Sequence, residues 1–192
     1  EKLAAYKNAR YAVVDVSCYE DVQKTVDDAV AEFGRLDYMF NNAGLGATLQ
    51  FETATLEYWK KIIDVNLWGV IYGVHAAFPV MAKQGSGHII NTASIAGLLA
   101  PPYQALYCAS KFALEAIGDG LRMELGPAGI SVSLVEPGPI RTSFRKRVVS
   151  DATRGLEMRN SAFAAQYAKE LSEPERTYSR PTDIFKKPPE AV

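Results

Sequence analysis

Tyr107 and Lys111 are the side chains whose types and spacing most directly indicate chemistry. They lie four residues apart in a segment with helical spacing, so both point to one side of a helix, one turn apart. A tyrosine hydroxyl has an ordinary pKa near 10, and a fixed ammonium group beside it favours the phenolate. Lowering that pKa to about 7–8 takes about 3–4 kcal/mol. The pair alone is weak evidence, because any surface helix can carry Tyr and Lys at this spacing.

Two further polar residues strengthen the hypothesis of an acid/base site. Ser94 follows a predicted strand, and its hydroxyl could donate to a substrate oxygen or, as in many loops, bond to nearby backbone. Asn66 falls within a predicted helix, where asparagine is mildly unfavourable. It marks either a kink or a satisfied polar group, or an amide that positions a water beside Lys111.

The elements that must position these residues alternate between strand and helix. Strands are predicted over Tyr11–Val16, Leu36–Phe40, His88–Thr92 and Ile130–Val135. Helices are predicted from a Ser17–Glu20 capping box to Gly34, over Thr55–Lys83 as one helix or two joined near Asn66, and over Gln104–Leu125. Apolar strands separated by helices predict a single α/β domain: a parallel sheet with helices on both faces.

Ligands of such sheets bind beyond the carboxyl ends of the strands. The residues predicted at that edge are Asp15, Asn41–Gly44, Ser94 and Pro137–Thr142.

Composition excludes several other classes of protein. Of 192 residues, 48% are hydrophobic, and 21 basic against 22 acidic side chains leave a net charge of −1, which argues against disorder and against general nucleic-acid binding. Cys18 and Cys108 are too few for a disulfide framework and fit a reducing cytoplasm. His75 and His88 lie too far apart to argue for a metal site. The most apolar stretch, Ile62 to Ala82, contains polar residues and predicts a buried helix rather than a membrane span.

The ordered motifs resemble those of the classical short-chain dehydrogenases/reductases. The resemblance covers roughly Tyr11 to Thr142 and rests on Asn41-Asn42-Ala43-Gly44, Asn66, Ser94, Tyr107-Cys108-Ala109-Ser110-Lys111 and Pro137-Gly138. It implies a doubly wound, Rossmann-like sheet, an NAD or NADP cofactor, and hydride transfer between that cofactor and a carbonyl/secondary alcohol pair.

The resemblance also implies residue roles. Tyr107 would be the general acid/base, Lys111 would lower its pKa and hold the nicotinamide ribose, Ser94 would orient the substrate, and Asn66 would hold a water of a proton relay. Asp15 would accept from the adenine amino group. The residues implied to bind the cofactor are Asp15, Val16, Asn41, Ala43, Gly44, Tyr107, Lys111, Pro137, Gly138, Ile140 and Thr142.

The chain departs from the family pattern at both ends. No Gly-x-Gly turn precedes Asp15, and ten residues before Tyr11 are too few for a βαβ unit, so residues 1–192 are expected to form one partial domain without the first βαβ portion and the last strand. The residue that distinguishes NAD from NADP would lie in that missing portion. The charged segment at residues 143–187 predicts either a solvated face, which is the common case, or a lid over the substrate.

These observations lead to a predicted function and two alternatives. The main prediction is an NAD(P)-dependent oxidoreductase that acts on a bulky, apolar carbonyl or alcohol, without nucleic-acid or membrane partners. The resemblance also implies a homodimer or homotetramer paired through the two long helices. One alternative is a non-catalytic nucleotide sensor or scaffold on the same fold. The other is an epimerase or dehydratase of the related extended type.

Overall fold

A three-stranded parallel sheet is the centre of the fold. The computed structural model describes residues 8–49, 51–138 and 140. Strands β1 (Tyr38–Asn41), β2 (Gly87–Thr92) and β3 (Ile130–Val135) lie in that order, with Asn41 beside Asn91 and Thr92 beside Val135. Because the strands are parallel, their carboxyl ends meet at one edge, and the predicted parallel sheet is confirmed.

Three long helices pack on the sheet face that carries Met39, Ile89 and Val132. They are α1 (Tyr19–Phe33), α3 (Gly69–Gln84) and α4 (Ala105–Leu125). The main core joins side chains of α3, α4, β2 and β3: Ala77, Met81, Ile89, Leu125, Ile130 and Val132. On the opposite face, Tyr38 and Phe40 are 66% and 55% exposed.

A wide turn interrupts the predicted Thr55–Lys83 helix at Asn66. Helix α2 (Leu56–Ile63) continues without a loop through a π-helical segment, Asp64–Trp68, into α3. The Gly69 N–H donates to the Asp64 carbonyl five residues back, which is the spacing of a π-helix rather than an α-helix. Of the two predicted alternatives, two helices joined near Asn66 is therefore the one that the structure confirms.

By length and hydropathy alone, the run Leu56–Gln84 could cross a membrane. It has 29 residues and a mean hydropathy of 1.3 over its most apolar window. Its apolar residues Val70, Ala77 and Met81 are at most 2% exposed, because they pack on the sheet and its neighbours. This is the pattern of a core helix, as the sequence predicted.

Two local predictions at the amino-terminal side are wrong. Residues 11–16 form no strand in the described part of the chain, where no other strand pairs with them, and Val13 is fully exposed. The Ser17–Glu20 capping box does not form either. Helix α1 begins after Cys18, the Ser17 hydroxyl donates to Asp15 Oδ1 at 2.6 Å, and the Glu20 carboxylate accepts from Cys18 Sγ. The predicted end of α1 at Gly34, which is left-handed at φ 77°, is confirmed.

Gly73 permits the close approach of α3 to β1. A Cβ atom there would lie 1.9 Å from Asn41 Oδ1 and 2.8 Å from Met39 Cε. We expect Gly73→Ala to lower the free energy of unfolding by about 1–3 kcal/mol, since the extra methyl group would displace the buried Asn41. Gly120→Ala in α4 is the control, because its Cβ would meet only Glu124 Oε1 at 3.9 Å, and it should add about 0.5–1 kcal/mol. Urea unfolding of both variants measures the difference, and equal stabilities would contradict this account of the packing.

Candidate active site

Ser94, Tyr107 and Lys111 meet beyond the carboxyl end of β2. Ser94 comes two residues after β2, and Tyr107 and Lys111 lie in the first two turns of α4. A hydrogen bond joins the hydroxyls of Ser94 and Tyr107. The Lys111 ammonium lies 5.8 Å from the centroid of the Tyr107 ring. The structure therefore brings three of the four predicted catalytic side chains, Ser94, Tyr107 and Lys111, into one cluster.

Ser94 is fixed by the backbone around it. Its hydroxyl accepts from the Ala96 N–H at 3.2 Å and lies 3.4 Å from the Pro137 carbonyl, to which it can donate. A short 3₁₀ turn, Ile95–Gly97, follows directly. Ser94 is 8% exposed, so its hydroxyl has few orientations open to it. Ser94 thus bonds to nearby backbone groups, as many loop serines do, and also contacts Tyr107.

The Tyr107 hydroxyl has a raised pKa in this structure. Burial is the main cause, because it disfavours the phenolate, and the Cys108 thiol adds to the rise. The hydrogen bond with Ser94 acts in the opposite direction and stabilises the phenolate. Burial outweighs Ser94 here, so a Tyr107 pKa lowered by Lys111 stays a prediction.

Lys111 is a buried ammonium group. Its side chain is 5% exposed, and Nζ donates to the Thr92 carbonyl at 2.7 Å. Burial lowers the pKa of Lys111 to about 8, and the negative charge of Glu115 partly opposes that change. An ammonium has three N–H donors, so two remain for a ligand after the bond to Thr92.

Asn66 holds the loop after β1 against α4. Its side chain is completely buried; Oδ1 accepts from the Leu45 N–H at 2.7 Å, and Nδ2 donates to the Leu45 carbonyl at 2.8 Å. Nδ2 also lies 3.1 Å from Ser110 Oγ. Asn66 is thus a satisfied polar group within a π-helical segment. The role of holding a relay water stays a prediction, and the side-chain amide already has protein partners.

The loop Asn41–Gly44 ties β1 to β2 and leaves space beside Lys111. Asn41 Nδ2 donates to Asn91 Oδ1 at 2.9 Å, which ties β1 to β2. A Cβ atom on Gly44 would stand 3.5 Å from Asn66 Oδ1 and 3.9 Å from Lys111 Nζ. Gly44 therefore lies at the catalytic cluster. Val16, Asn41 and Ala43 line one largely apolar cavity of about 270 Å³.

The remaining residues predicted to bind the cofactor make fewer contacts with the Ser94–Tyr107–Lys111 cluster. The Asp15 carboxylate is exposed and accepts from the Ser17 hydroxyl and N–H, and these bonds lower its pKa. The Pro137 carbonyl accepts from the Ile95 N–H at 3.2 Å, beside Ser94. Gly138 is exposed and Ile140 is half-buried. Thr142 and the expected lid, residues 143–187, lie outside the described residues.

Several residues of the site were not predicted from the sequence. Ser110 bonds Asn66 and the Tyr107 carbonyl, and the Thr92 carbonyl receives Lys111. Ser110 offered a signal, since it is a small polar residue in the buried part of an amphipathic helix. Thr92 acts through its backbone, which no side-chain pattern reveals.

The surroundings of Cys108, His75 and His88 indicate structural rather than catalytic roles. Cys108 is 2% exposed, and burial raises the pKa of its thiol, as expected for a small core residue. His75 contacts the Tyr19 hydroxyl at 3.2 Å, and His88 contacts Ser133 Oγ at 2.8 Å. Among the described residues, no group of histidine, cysteine and carboxylate side chains could hold a metal ion.

Comparison with known proteins agrees with this arrangement. The 3-ketodihydrosphingosine reductase of Bacteroides thetaiotaomicron is 40% identical over 145 residues, 75% of this chain and 54% of the reductase. A short-chain dehydrogenase/reductase from Burkholderia phymatum, solved in complex with NAD, is 33% identical with a TM-score of 0.73 over 92% of this chain and 64% of its own. ElxO with NADP bound is 30% identical with a TM-score of 0.68 over 74% of this chain and 58% of its own.

The chain spans about half the length of these curated relatives: 54% of the Bacteroides reductase and 55% of an oxidoreductase from Staphylococcus saprophyticus. The family described as short chain dehydrogenase matches residues 1–153. With its parallel sheet and its Ser94–Tyr107–Lys111 cluster at the carboxyl edge, the chain belongs to the short-chain dehydrogenase/reductase family of oxidoreductases.

Proposed function

We propose that the protein transfers a hydride between NAD or NADP and a carbonyl/secondary alcohol substrate, with Tyr107 as the general acid/base. The observation that carries this proposal is the hydrogen bond between Tyr107 and Ser94 beside the buried Lys111. A binding protein has no chemical need for two hydroxyls and an ammonium held together in this way. The sensor alternative is accordingly disfavoured.

The residues around Lys111 suit a nicotinamide nucleotide. The ammonium has N–H donors left for ribose hydroxyls, and Gly44 leaves open the space that a side chain would fill beside it. The ionised Asp15 carboxylate can accept from an adenine amino group. Val16, Asn41, Ala43, Pro137, Gly138, Ile140 and Thr142 complete the proposed set. The bound nicotinamide would supply or accept the hydride.

The protein groups supply orientation and a proton. In the direction of reduction, Tyr107 Oη would donate its proton to the oxygen that forms from the substrate carbonyl. Ser94 would hold that oxygen by a hydrogen bond. The resulting Tyr107 phenolate would be stabilised by Ser94 and by the positive charge of Lys111, both of which oppose the effect of burial.

For the substrate we propose a bulky, apolar ketone or secondary alcohol. The expected lid, residues 143–187, contains aromatic residues at Phe144, Phe163, Tyr167 and Tyr178, which favour apolar contacts. The Bacteroides relative is named for a ketone as well. A preference for sugars or short polyols would contradict this substrate class. Turnover of sugar nucleotides would favour the extended-type epimerases or dehydratases instead.

A spectrophotometric assay tests the proposed function directly. We expect the full-length protein to oxidise NADH or NADPH in the presence of at least one member of a ketone panel that runs from short polyol-derived ketones to large apolar ones. The cofactor that is oxidised faster also identifies the nucleotide preference. Nucleotide binding without turnover of any member would favour the sensor or scaffold alternative.

The proposal extends to assembly and location. We propose a homodimer or homotetramer paired through α3 and α4, which analytical ultracentrifugation would detect. Cys18 and Cys108 are free thiols, which supports a reducing compartment, and we propose the cytoplasm.

A further inference from the structure

Glu115 has a carboxylate oxygen that nothing in the proposed mechanism uses. Oε1 is shielded from solvent and has no hydrogen-bond partner in the described part of the chain. Buried polar atoms are nearly always hydrogen-bonded, because leaving one unpaired costs about 1–3 kcal/mol. An unpaired carboxylate oxygen one helical turn beyond Lys111 therefore calls for an explanation.

The turn after Ser94 confines this carboxylate against α4. A Cβ atom on Gly97 would lie 2.9 Å from the Lys111 carbonyl oxygen and 3.0 Å from both Glu115 Cγ and Oε1. Gly97 thus fits between the two residues, and it belongs to the same short turn that begins after Ser94. Helical side chains lean toward the amino terminus, so Glu115 leans over the turn that carries Lys111.

The charged groups around Glu115 have opposite effects on the pKa of its carboxyl group. Burial is the main cause of its raised pKa, and the carboxylates of Glu136 and Asp119 add to the rise, whereas Arg122 and Lys111 favour the ionised form. Arg122 is itself shared, since it forms an ion pair with Asp119 and donates to the Val132 carbonyl. Lys111, a buried cation one helical turn before Glu115, is therefore the cation that we expect the Glu115 carboxylate to stabilise.

We propose that Glu115 is a positioning residue for the active-site lysine: its carboxylate, confined by Gly97, keeps Lys111 protonated at neutral pH. This inference rests on the proposed function, which needs the positive charge of Lys111 beside Tyr107. No hydrogen-bond donor offsets the charge at the unpaired oxygen, and both that oxygen and Lys111 are shielded from water, which strengthens the effect of one charge on the other. Glu115 would contact neither substrate nor cofactor.

The expected effect follows from the two charges. The pKa of Lys111 is about 8, so its side chain is half protonated near pH 8. Burial lowers this pKa and the charge of Glu115 raises it, so without Glu115 the proton would be lost at a lower pH. In Glu115→Gln, the shape of the side chain is kept and its charge is lost. We expect the protonated fraction of Lys111 at pH 8 to fall from about half to about a tenth, a change typical of losing a nearby opposite charge.

NMR of the full-length protein carrying ¹³C-labelled lysine, without cofactor or substrate, measures this fraction. The Lys111 signal is assigned by its disappearance in Lys111→Met. The matched control is Glu124→Gln, an exposed carboxylate further along α4 that is not among the charges acting on Lys111 or Glu115, and it should leave the Lys111 titration unchanged. An unchanged titration in Glu115→Gln would overturn the proposal.

A measurement on the unsubstituted protein tests the proposal even if the Glu115→Gln variant fails to fold. The ¹³C carboxyl signal of Glu115 should show the ionised form at pH 7, and a neutral carboxyl at that pH would equally overturn the proposal. In active protein, the loss of turnover at high pH should begin at a lower pH in Glu115→Gln. Because the NMR titrations need no turnover, they separate failure of this inference from failure of the proposed reaction.

Discussion

Replacing Tyr107 with phenylalanine should lower kcat/KM by about 10²–10⁴-fold, the range that a positioned general acid or base contributes. The substitution removes the hydroxyl that is hydrogen-bonded to Ser94 and keeps the ring beside Lys111. Nucleotide affinity should change little, because the two free Lys111 donors and Gly44 remain in place. Steady-state kinetics and a fluorescence titration with NADH or NADPH measure the two quantities separately.

The control for this variant is Tyr58→Phe. Tyr58 packs in the same apolar cluster as Tyr107, and its hydroxyl is 3.5 Å from the Gly46 carbonyl rather than near Ser94. Its kcat/KM should stay within a few-fold of that of the unsubstituted protein. If Tyr107→Phe retained full turnover, the assignment of the general acid/base would be wrong. If both variants lost turnover equally, packing rather than proton transfer would explain the loss.

Replacing Lys111 with methionine should stabilise the fold while abolishing most of the activity. The pKa of Lys111 is lowered from 10.5 to about 8 by burial, so the folded state resists protonation of this group. The cost of that burial is complete below pH 8 and disappears as pH rises from 8 to 10.5, where the lysine becomes neutral in both states. It amounts to about 3 kcal/mol, less about 1 kcal/mol for the lost bond to Thr92.

Urea unfolding at two pH values tests this expectation. At pH 7, Lys111→Met should gain about 1–3 kcal/mol in the free energy of unfolding, and the gain should shrink by pH 10. Lys61→Met, at an exposed position of α2, is the control and should change stability by less than about 0.5 kcal/mol at both values. A loss of stability in Lys111→Met that is equal at both pH values would show that the ammonium is not strained by burial. Turnover of this variant should fall by at least about 10²-fold, since a buried charge beside the reacting group is lost.

Much of the fold follows from patterns that depend on near neighbours in sequence. The apolar stripe of α1, the left-handed glycine at position 34 and the apolar runs of β2 and β3 are local signals, and they gave correct elements within one or two residues. Tyr11–Val16 carries the same kind of local signal and forms no strand. Strand formation needs a partner for its backbone groups, and that information is not local.

The sequence predicted which side chains of α4 and of the sheet edge come together, but not the contacts that hold them. Spacing along α4 places Tyr107 and Lys111 on one side, and the end of β2 places Ser94 at the ligand edge. The partners of Asn66 could not be predicted, because Leu45 contributes backbone atoms and Ser110 lies on a helix 44 residues away. Glu115 was also missed, since its burial depends on the turn at Gly97 packing against α4.

The π-helical segment at Asp64–Trp68 lets one continuous helix serve two different surfaces. Before it, Ile62 of α2 packs with Ala47 and Leu106 near the active site; after it, Val70 and Ala77 of α3 pack near the sheet. One extra residue in a turn rotates all that follows by about 100°, the angle that a single residue spans in an α-helix. The π-helical segment therefore rotates the buried face of α3 relative to the buried face of α2. Without that rotation, a single hydrophobic stripe would have to face both the loop after β1 and the sheet at once.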